Sequence, residues 1–203
     1  RQLLEFLAAV PEYVWVVLDE AYLEYVEDDD HLNGVSVLAQ FPNLIVTRTF
    51  SKIYGLAAVR FGYSVSSPTF ADLLNRARQP FNVNSLAMAA VMAALEDDDY
   101  VAESIALNRS GMMQMTEGLT GLGYDYIPSA GNFVAFDCGE PGNDLFQRML
   151  QEGVIVRAIA EYGLPNHVRV SIGLPAENER FLGVLAKVGA NAAASSEMKA
   201  PVS

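Results

Sequence analysis

Two apolar runs that end in polar residues and flank a helical segment constrain the fold of this chain more than any other feature. The first run, Tyr13 to Leu18, is rich in valine, and the second is Leu44 to Thr47. The helical segment Val35 to Gln40 lies between them. Continuous apolar strands separated by a helix are typical of a βαβ unit, whose parallel strands are buried on both faces. The pattern therefore predicts an α/β fold with a parallel sheet.

Further predicted elements continue this alternation in the first half of the chain. They are a helix at Gln2 to Ala9, a third strand at Val59 to Val65, and helices at Ala71 to Arg78 and Leu86 to Leu95. Pro68 precedes the second of these helices, and Asn84 or Ser85 can cap the third, because such residues favour helix N-termini. We therefore expect one α/β domain here.

A long amphipathic helix, Val101 to about Leu122, is predicted to connect this domain to a second one. The elements predicted beyond it are strands at Asn132 to Asp137, Val154 to Ala158 and His167 to Ile172, and helices at Asn143 to Glu152 and Ala176 to Lys187. We assign residues 1–107 to the large domain and residues 108–190 to a small α+β domain. Residues 191–203 are small and polar, so we expect a disordered tail.

Composition excludes several classes of protein. The 203 residues are 51% apolar and 19% charged, which excludes a disordered chain. The 13 basic and 25 acidic residues give a net charge of −12, so we expect neither nucleic acid nor an anionic membrane as a partner. No apolar run approaches the ~20 residues of a membrane span. The single cysteine, Cys138, predicts a reducing, cytoplasmic compartment, and with His31 and His167 far apart we expect no metal site.

Polar residues follow each of the two apolar runs, where ligands of open α/β sheets bind. Asp19 and Glu20 follow the first run, and Ser51 and Lys52 come shortly after the second. If the two strands are neighbours, Asp19 and Lys52 face the same crevice. A carboxylate and an amine placed in this way serve either as a simple ion pair or as catalytic groups. The residue types alone leave both interpretations open.

Several short motifs (words) of the sequence, in this order, resemble those of a known family. They are Val17-Leu18-Asp19-Glu20-Ala21-Tyr22, Thr49-Phe50-Ser51-Lys52-Ile53-Tyr54-Gly55-Leu56-Ala57, Arg60-Phe61-Gly62-Tyr63, Pro80-Phe81-Asn82-Val83-Asn84 and Arg169-Val170-Ser171-Ile172-Gly173. They resemble the fold-type I aminotransferases that use pyridoxal phosphate (PLP), and among these most of all the histidinol-phosphate aminotransferases. The resemblance implies the C-terminal part of the large parallel-sheet domain, followed by the small α+β domain. Because the chain begins at Arg1 in a helical pattern, we expect it to be a piece of a longer protein.

The resemblance implies that five residues bind PLP. Lys52 matches the lysine that holds the cofactor covalently and moves a proton during the reaction. Asp19 matches the carboxylate that keeps the ring nitrogen protonated. Tyr22 matches the phenol near the O3′ atom of the ring. Ser51 and Arg60 match donors to the cofactor phosphate, to which an arginine offers a planar pair of N–H groups.

Three residues of the second domain match substrate-binding positions of the family. Arg169 matches the arginine that binds the substrate α-carboxylate, and Arg157 matches the arginine that the histidinol-phosphate enzymes direct at the substrate phosphate. Asn132 matches an asparagine at the mouth of the site. Each residue also has an ordinary interpretation, because an exposed strand arginine pairs with nearby acids and asparagine is common in turns.

The implied function is PLP-dependent transfer of an amino group between glutamate or 2-oxoglutarate and histidinol phosphate or imidazole-acetol phosphate, in histidine biosynthesis. The expected partners are these small molecules and, in the full-length protein, a second subunit of a cytoplasmic homodimer. A related PLP decarboxylase or an aromatic aminotransferase is an alternative, because each can share every word quoted above. An inactive truncated fragment that acts only as a dimerisation module is another. Its support is that the family's upstream half of the PLP pocket is not in this sequence.

Overall fold

The computed structural model describes residues 2–27 and 31–197. Its α-helices are α1 (Gln2–Ala9), α2 (Pro68–Ala77), α3 (Ser85–Ala94), α4 (Asp98–Gly121), α5 (Gly142–Gln151) and α6 (Pro175–Glu197). Its strands are β1 (Val16–Asp19), β2 (Leu44–Thr49), β3 (Gly62–Ser66), β4 (Tyr126–Ile127), β5 (Phe133–Asp137), β6 (Arg157–Ala158) and β7 (His167–Ser171). The chain divides into two compact units, Arg1–Ile105 and Ala106–Ser203, at a point inside α4 and two residues before the predicted boundary.

The first unit contains a three-stranded sheet in the order β1-β2-β3. The strands β1 and β2 are parallel, as the sequence predicts, and Asp19 lies opposite Thr47. The third strand differs, because β3 runs antiparallel to β2. The segment between β2 and β3 forms a 3-10 turn at Ala57–Val59 and no crossover helix, and a parallel connection normally needs one.

One face of this sheet is covered by α1 and by the segment that links β1 to β2. The buried residues of this core are Leu7, Val37, Leu44 and Val46. The sequence predicts a helix at Val35 to Gln40 in the linking segment, but this segment forms only a short 3-10 turn at Gly34–Val37. Gly34 allows this turn to pack closely against β1, since a Cβ atom at position 34 would lie 2.6 Å from Leu18 Cδ2. Close packing against the sheet therefore replaces a regular α-helix.

The alternation of side chains along β1 determines which residues face the core. Val16 and Leu18 pack against the core cluster and Glu20 is buried directly after the strand, whereas Val17 and Asp19 are exposed on the other face. Successive side chains of a strand point to opposite faces, so Asp19 and Glu20 have different surroundings although they are neighbours in sequence.

The second unit is an antiparallel sheet in the order β4-β5-β7-β6 with helices packed against it. Its core includes Met115, Phe136, Met149 and Leu185, each fully buried. The sequence does not predict the short strand β4, because two residues are too few to show a periodic pattern. None of the helices in the described ranges is long and apolar enough to cross a membrane.

The last helix extends further than the sequence predicts. It continues to Glu197, so residues 191–197 are helical where we expected a disordered tail. This stretch contains three consecutive alanines, and alanine has the highest intrinsic helix propensity. Intrinsic propensity therefore favours continuation of the helix through this stretch. Residues 198–203 of the predicted tail lie outside the described residues.

Candidate functional site

The carboxyl end of β1 presents Asp19 at the edge of the first sheet. Its Oδ1 atom accepts hydrogen bonds from the Ala21 N–H at 3.1 Å and from the Thr47 hydroxyl at 3.4 Å. Both bonds are made by one oxygen of a carboxylate that is exposed. A carboxylate has about four acceptor positions on two oxygens, so Asp19 keeps acceptor capacity for a ligand that carries an N–H group.

The neighbouring carboxylate, Glu20, is 5% exposed and belongs to a different network. Its Oε1 atom accepts the Gly34 N–H at 2.6 Å, and its Oε2 atom accepts both Nε and Nη2 of Arg48 at 3.0 and 2.8 Å. Nη2 of Arg48 also donates to Asn33 Oδ1 at 2.8 Å. This ion pair joins the ends of β1 and β2 on the face opposite Asp19. No local sequence pattern indicates this ion pair, because its members lie 28 residues apart.

Lys52 and Tyr22 are brought together at the same edge of the sheet. The Lys52 Nζ atom lies 5.0 Å from the centroid of the Tyr22 ring. Lys52 and Ser51 are half-buried between two buried residues, Phe50 and Ile53. These two apolar side chains anchor the turn after β2, so the amine and the hydroxyl between them are held in place without being enclosed.

Arg60 lies at the end of the β2–β3 connection and has an unusual backbone conformation. Its φ is 55°, in the left-handed region, where a residue with a side chain is strained. Its Nη1 atom donates to the Ala57 carbonyl at 2.9 Å, and the residue is exposed. The Phe50 N–H donates to the Phe61 carbonyl at 3.2 Å, which joins the segment before Ser51 to the segment after Arg60. Ser51 and Arg60 therefore belong to one connected loop.

One partly buried acid and two partly buried phenols follow Tyr22 and Lys52 closely along the chain. Partial burial raises the pKa of Glu24 above its ordinary value, although Arg48 acts in the opposite direction. Burial also raises the pKa of Tyr25 and of Tyr54, and in both cases the negative charge of Glu24 adds to the effect. No motif of the sequence predicts a role for these three residues. The only available signal was their position within or next to the quoted words.

In the second unit, Arg157 and Arg169 lie directly opposite each other on β6 and β7. Nη2 of Arg157 donates to Glu161 Oε1 at 2.8 Å and to the Tyr162 hydroxyl at 3.3 Å. The Arg169 guanidinium lies over the Phe133 ring, 4.9 Å from its centroid. Glu161 is thus the partner that the interpretation of Arg157 as half of a surface ion pair requires. A cation over an aromatic face is a favourable contact as well.

Asn132 lies immediately before β5, and its backbone carbonyl accepts the Ile172 N–H at 2.9 Å. This bond joins the residue to the segment that follows β7 and Arg169. Asn132, Arg157 and Arg169 therefore belong to the sheet of the second unit, whereas the five residues predicted to bind PLP belong to the first. Within residues 2–27 and 31–197, no group of three or more His, Cys, Asp or Glu side chains is placed to hold a metal ion.

Comparisons with known proteins agree on one family. The family model for aminotransferase class I and II matches residues 1–185. Histidinol-phosphate aminotransferase 2 of Pseudomonas fluorescens strain Pf-5 is 61% identical over 192 residues, which cover 95% of this chain and 52% of that relative. Histidinol-phosphate aminotransferase 1 of Nitrosococcus oceani is 54% identical over 183 residues, covering 90% and 50%. The chain spans about half the length of the curated relatives it matches.

Solved structures give the same result. The crystal structure of histidinol-phosphate aminotransferase from Sinorhizobium meliloti, in complex with pyridoxal-5'-phosphate, matches with a TM-score of 0.86 and 33% sequence identity. The match covers 94% of this chain and 53% of that one. The fold class expected from the sequence is thereby confirmed.

Proposed function

The chain belongs to the aminotransferase class I and II family, and from this premise we propose that the whole protein transfers an amino group between glutamate or 2-oxoglutarate and histidinol phosphate or imidazole-acetol phosphate. The reaction belongs to histidine biosynthesis. The observation that carries the proposal is the edge of the first sheet, where the Asp19 carboxylate is exposed and the Lys52 amine lies against Tyr22. The relatives named histidinol-phosphate aminotransferase support the choice of substrate.

The residues at this edge fit PLP by their chemistry. Lys52 supplies an amine for the aldehyde, Asp19 a carboxylate for the ring nitrogen, and Tyr22 a phenol. Ser51 and Arg60 supply a hydroxyl and a guanidinium for the phosphate, and one connected loop holds both. When bound, PLP accepts the electron pair that is left on the substrate α-carbon after its proton is removed.

We assign the proton transfer to Lys52. Its amine removes the proton from the substrate α-carbon and delivers it again later in the cycle. The carboxylate of Asp19 favours the protonated form of a nitrogen placed beside it, since an opposite charge favours the charged state. The Glu20–Arg48 ion pair on the other face holds the ends of β1 and β2 together and so positions Asp19.

The second unit supplies the cations for an anionic substrate. We assign the α-carboxylate to Arg169 and the substrate phosphate to Arg157, with Asn132 at the mouth of the site. Arg157 and Arg169 are cross-strand partners in a chain whose net charge is −12. Two adjacent cations in an acidic protein favour a ligand with two anionic groups. A cytoplasmic homodimer that acts on small molecules completes the proposal.

The first experiment uses the chain itself and asks which lysine reacts with PLP. The sequence contains three lysines, at positions 52, 187 and 199. The chain is incubated with PLP, reduced with borohydride and mapped by mass spectrometry. We expect the label on Lys52, and the Lys187→Ala variant is the matched control because Lys187 is engaged with Glu152 at 2.7 Å. Association of the chain without preferential label at Lys52 would instead favour a dimerisation module.

The second experiment measures turnover in a longer protein. The upstream half of the Pseudomonas fluorescens relative is fused in front of the chain, and amino transfer from glutamate to imidazole-acetol phosphate is followed. Lys52→Ala is expected to lower turnover about a hundredfold or more, because a positioned proton-transfer group contributes about that much. Full turnover in this variant would disprove the proposal. Release of carbon dioxide would indicate the decarboxylase, and preference for an unphosphorylated aromatic donor the aromatic aminotransferase.

A further inference from the structure

Two arginines are cross-strand partners on the second sheet. Arg157 on β6 is the direct cross-strand partner of Arg169 on β7. Cross-strand partners have adjacent side chains on the same face of a sheet, and like charges in such a pair are destabilising. A negative group near either guanidinium therefore stabilises this arrangement before any substrate is bound.

Glu161 supplies such a negative group to Arg157. Its Oε1 atom lies 2.8 Å from Nη2 of Arg157, and the two side chains are 51% and 52% exposed. The carboxylate stands in the 3-10 turn Ala160–Tyr162, directly after the strand that carries Arg157. Arg157 lowers the pKa of Glu161, and the charge of Arg169 contributes in the same direction. Both arginines thus act on this one carboxylate.

We propose that Glu161 is an exchangeable counter-ion, which occupies Arg157 in the unliganded protein and is replaced there by the anionic group of the incoming substrate. The inference rests on the proposed function, in which Arg157 binds the substrate phosphate. The exchange is geometrically simple, because the ion pair is half-exposed and Glu161 is held in a short turn rather than in the core.

The exchange has a consequence for specificity. An anion that approaches Arg157 meets the negative charge of Glu161 at close range, and this repulsion grows with the charge of the anion. Only a ligand that also gains from Arg169 recovers what the displaced carboxylate contributed. Glu161 therefore disfavours anions that engage Arg157 alone and favours substrates that carry two anionic groups.

The test measures binding of inorganic phosphate to the chain, without cofactor. The backbone amides of β6 and β7 in the ¹⁵N-labelled chain are followed by NMR at pH 7 as phosphate is added. In Glu161→Gln the competing charge is gone, so the dissociation constant is expected to fall about threefold or more. A merely structural role, in which Glu161 holds Arg157 in place, predicts the opposite sign.

A matched control removes the same charge from another ion pair of the same unit. Glu152 pairs with Lys187 at 2.7 Å, and Glu152→Gln is expected to leave phosphate affinity nearly unchanged. Unchanged or weaker binding by Glu161→Gln, or no detectable binding by either protein, would overturn the counter-ion role.

The Arg157→Met variant distinguishes the phosphate-binding role of Arg157 from the counter-ion role of Glu161. We expect it to weaken phosphate binding and to abolish the gain from Glu161→Gln in the double variant. If Arg157→Met binds phosphate as the wild type does, the phosphate role of Arg157 in the proposed function fails. If Arg157→Met loses binding while Glu161→Gln gives no gain, only the counter-ion inference fails.

Discussion

At the scale of single residues, Asp19 and Glu20 differ in burial and in hydrogen bonding because they lie on opposite faces of the sheet. The two carboxylates are adjacent in sequence, yet Glu20 is buried with three donors and Asp19 is exposed. A buried charge is tolerated only when it is paired and hydrogen-bonded, and Glu20 meets that condition through Arg48 and Gly34. Asp19 has no such need and remains available to a ligand.

This contrast predicts different stability effects for two conservative substitutions. Glu20→Gln leaves Arg48 without its counter-ion and is expected to lower the free energy of unfolding by about 3 kcal/mol. Asp19→Asn, the matched control, is expected to change it by about 0.5 kcal/mol or less. Urea unfolding followed by fluorescence reports on the first unit, because the single tryptophan, Trp15, packs against Phe70. Equal effects of the two substitutions would show that the Glu20 network is not structural.

At the scale of elements, the helices of the first unit differ in how well their N-termini are capped. Oδ1 of Asn84 accepts the Ala87 N–H at 2.8 Å at the start of α3. Oγ of Ser67 accepts the Phe70 N–H at 3.4 Å at the start of α2, which is long for a hydrogen bond. The helix α3 contains no charged residue, so its cap is the main local polar contribution to its start.

The difference in cap geometry predicts that removing the Asn84 cap lowers stability more than removing the Ser67 cap. Asn84→Ala is expected to lower the free energy of unfolding by about 1 kcal/mol, because a free N–H of the first turn loses its acceptor. Ser67→Ala is expected to cost less, since its bond is longer. Both variants are measured by urea unfolding with Trp15 fluorescence, and Asn84→Asp should retain most of the stability. A larger loss in Ser67→Ala than in Asn84→Ala would contradict the ranking.

At the scale of the whole molecule, the excess of acidic residues dominates the electrostatics. The net charge is −12 at pH 7, with 25 acidic and 13 basic residues. Paired acids such as Glu20, Glu140, Glu152 and Glu161 already have cationic partners among the described residues. The excess of negative charge over positive charge nevertheless gives a net repulsion, and such self-repulsion destabilises a compact chain.

Screening of this repulsion predicts that salt stabilises the chain. Raising sodium chloride from about 10 mM to about 150 mM shortens the Debye length from about 30 Å to about 8 Å. The midpoint of thermal unfolding is then expected to rise by about 3 °C. Calorimetry in sodium chloride and in choline chloride at equal ionic strength checks the cause, since screening does not depend on the cation. A midpoint that falls with salt would show that attractive ion pairs outweigh the repulsion.

Local patterns in the sequence are sufficient to predict many of the strands and helices and the family. The apolar runs before Asp19 and Thr49 predict β1 and β2, the apolar periodicity predicts most helices, and Asn84 is one of the two caps considered for α3. The ordered words around Asp19 and Lys52 predict the family, which the comparisons confirm. These features depend on residues close together in the chain, so the sequence contains them directly.

Other features arise from contacts between residues that are distant in the chain. The antiparallel direction of β3, the pairing of Glu20 with Arg48 and the position of Arg157 opposite Arg169 are of this kind. The left-handed backbone of Arg60 belongs with them, since only its surroundings can hold a side-chain residue in that conformation. Periodicity reveals which residues are buried but not which partners they meet. Folding brings those partners together, and burial then decides which charges must be paired and which stay free for a ligand.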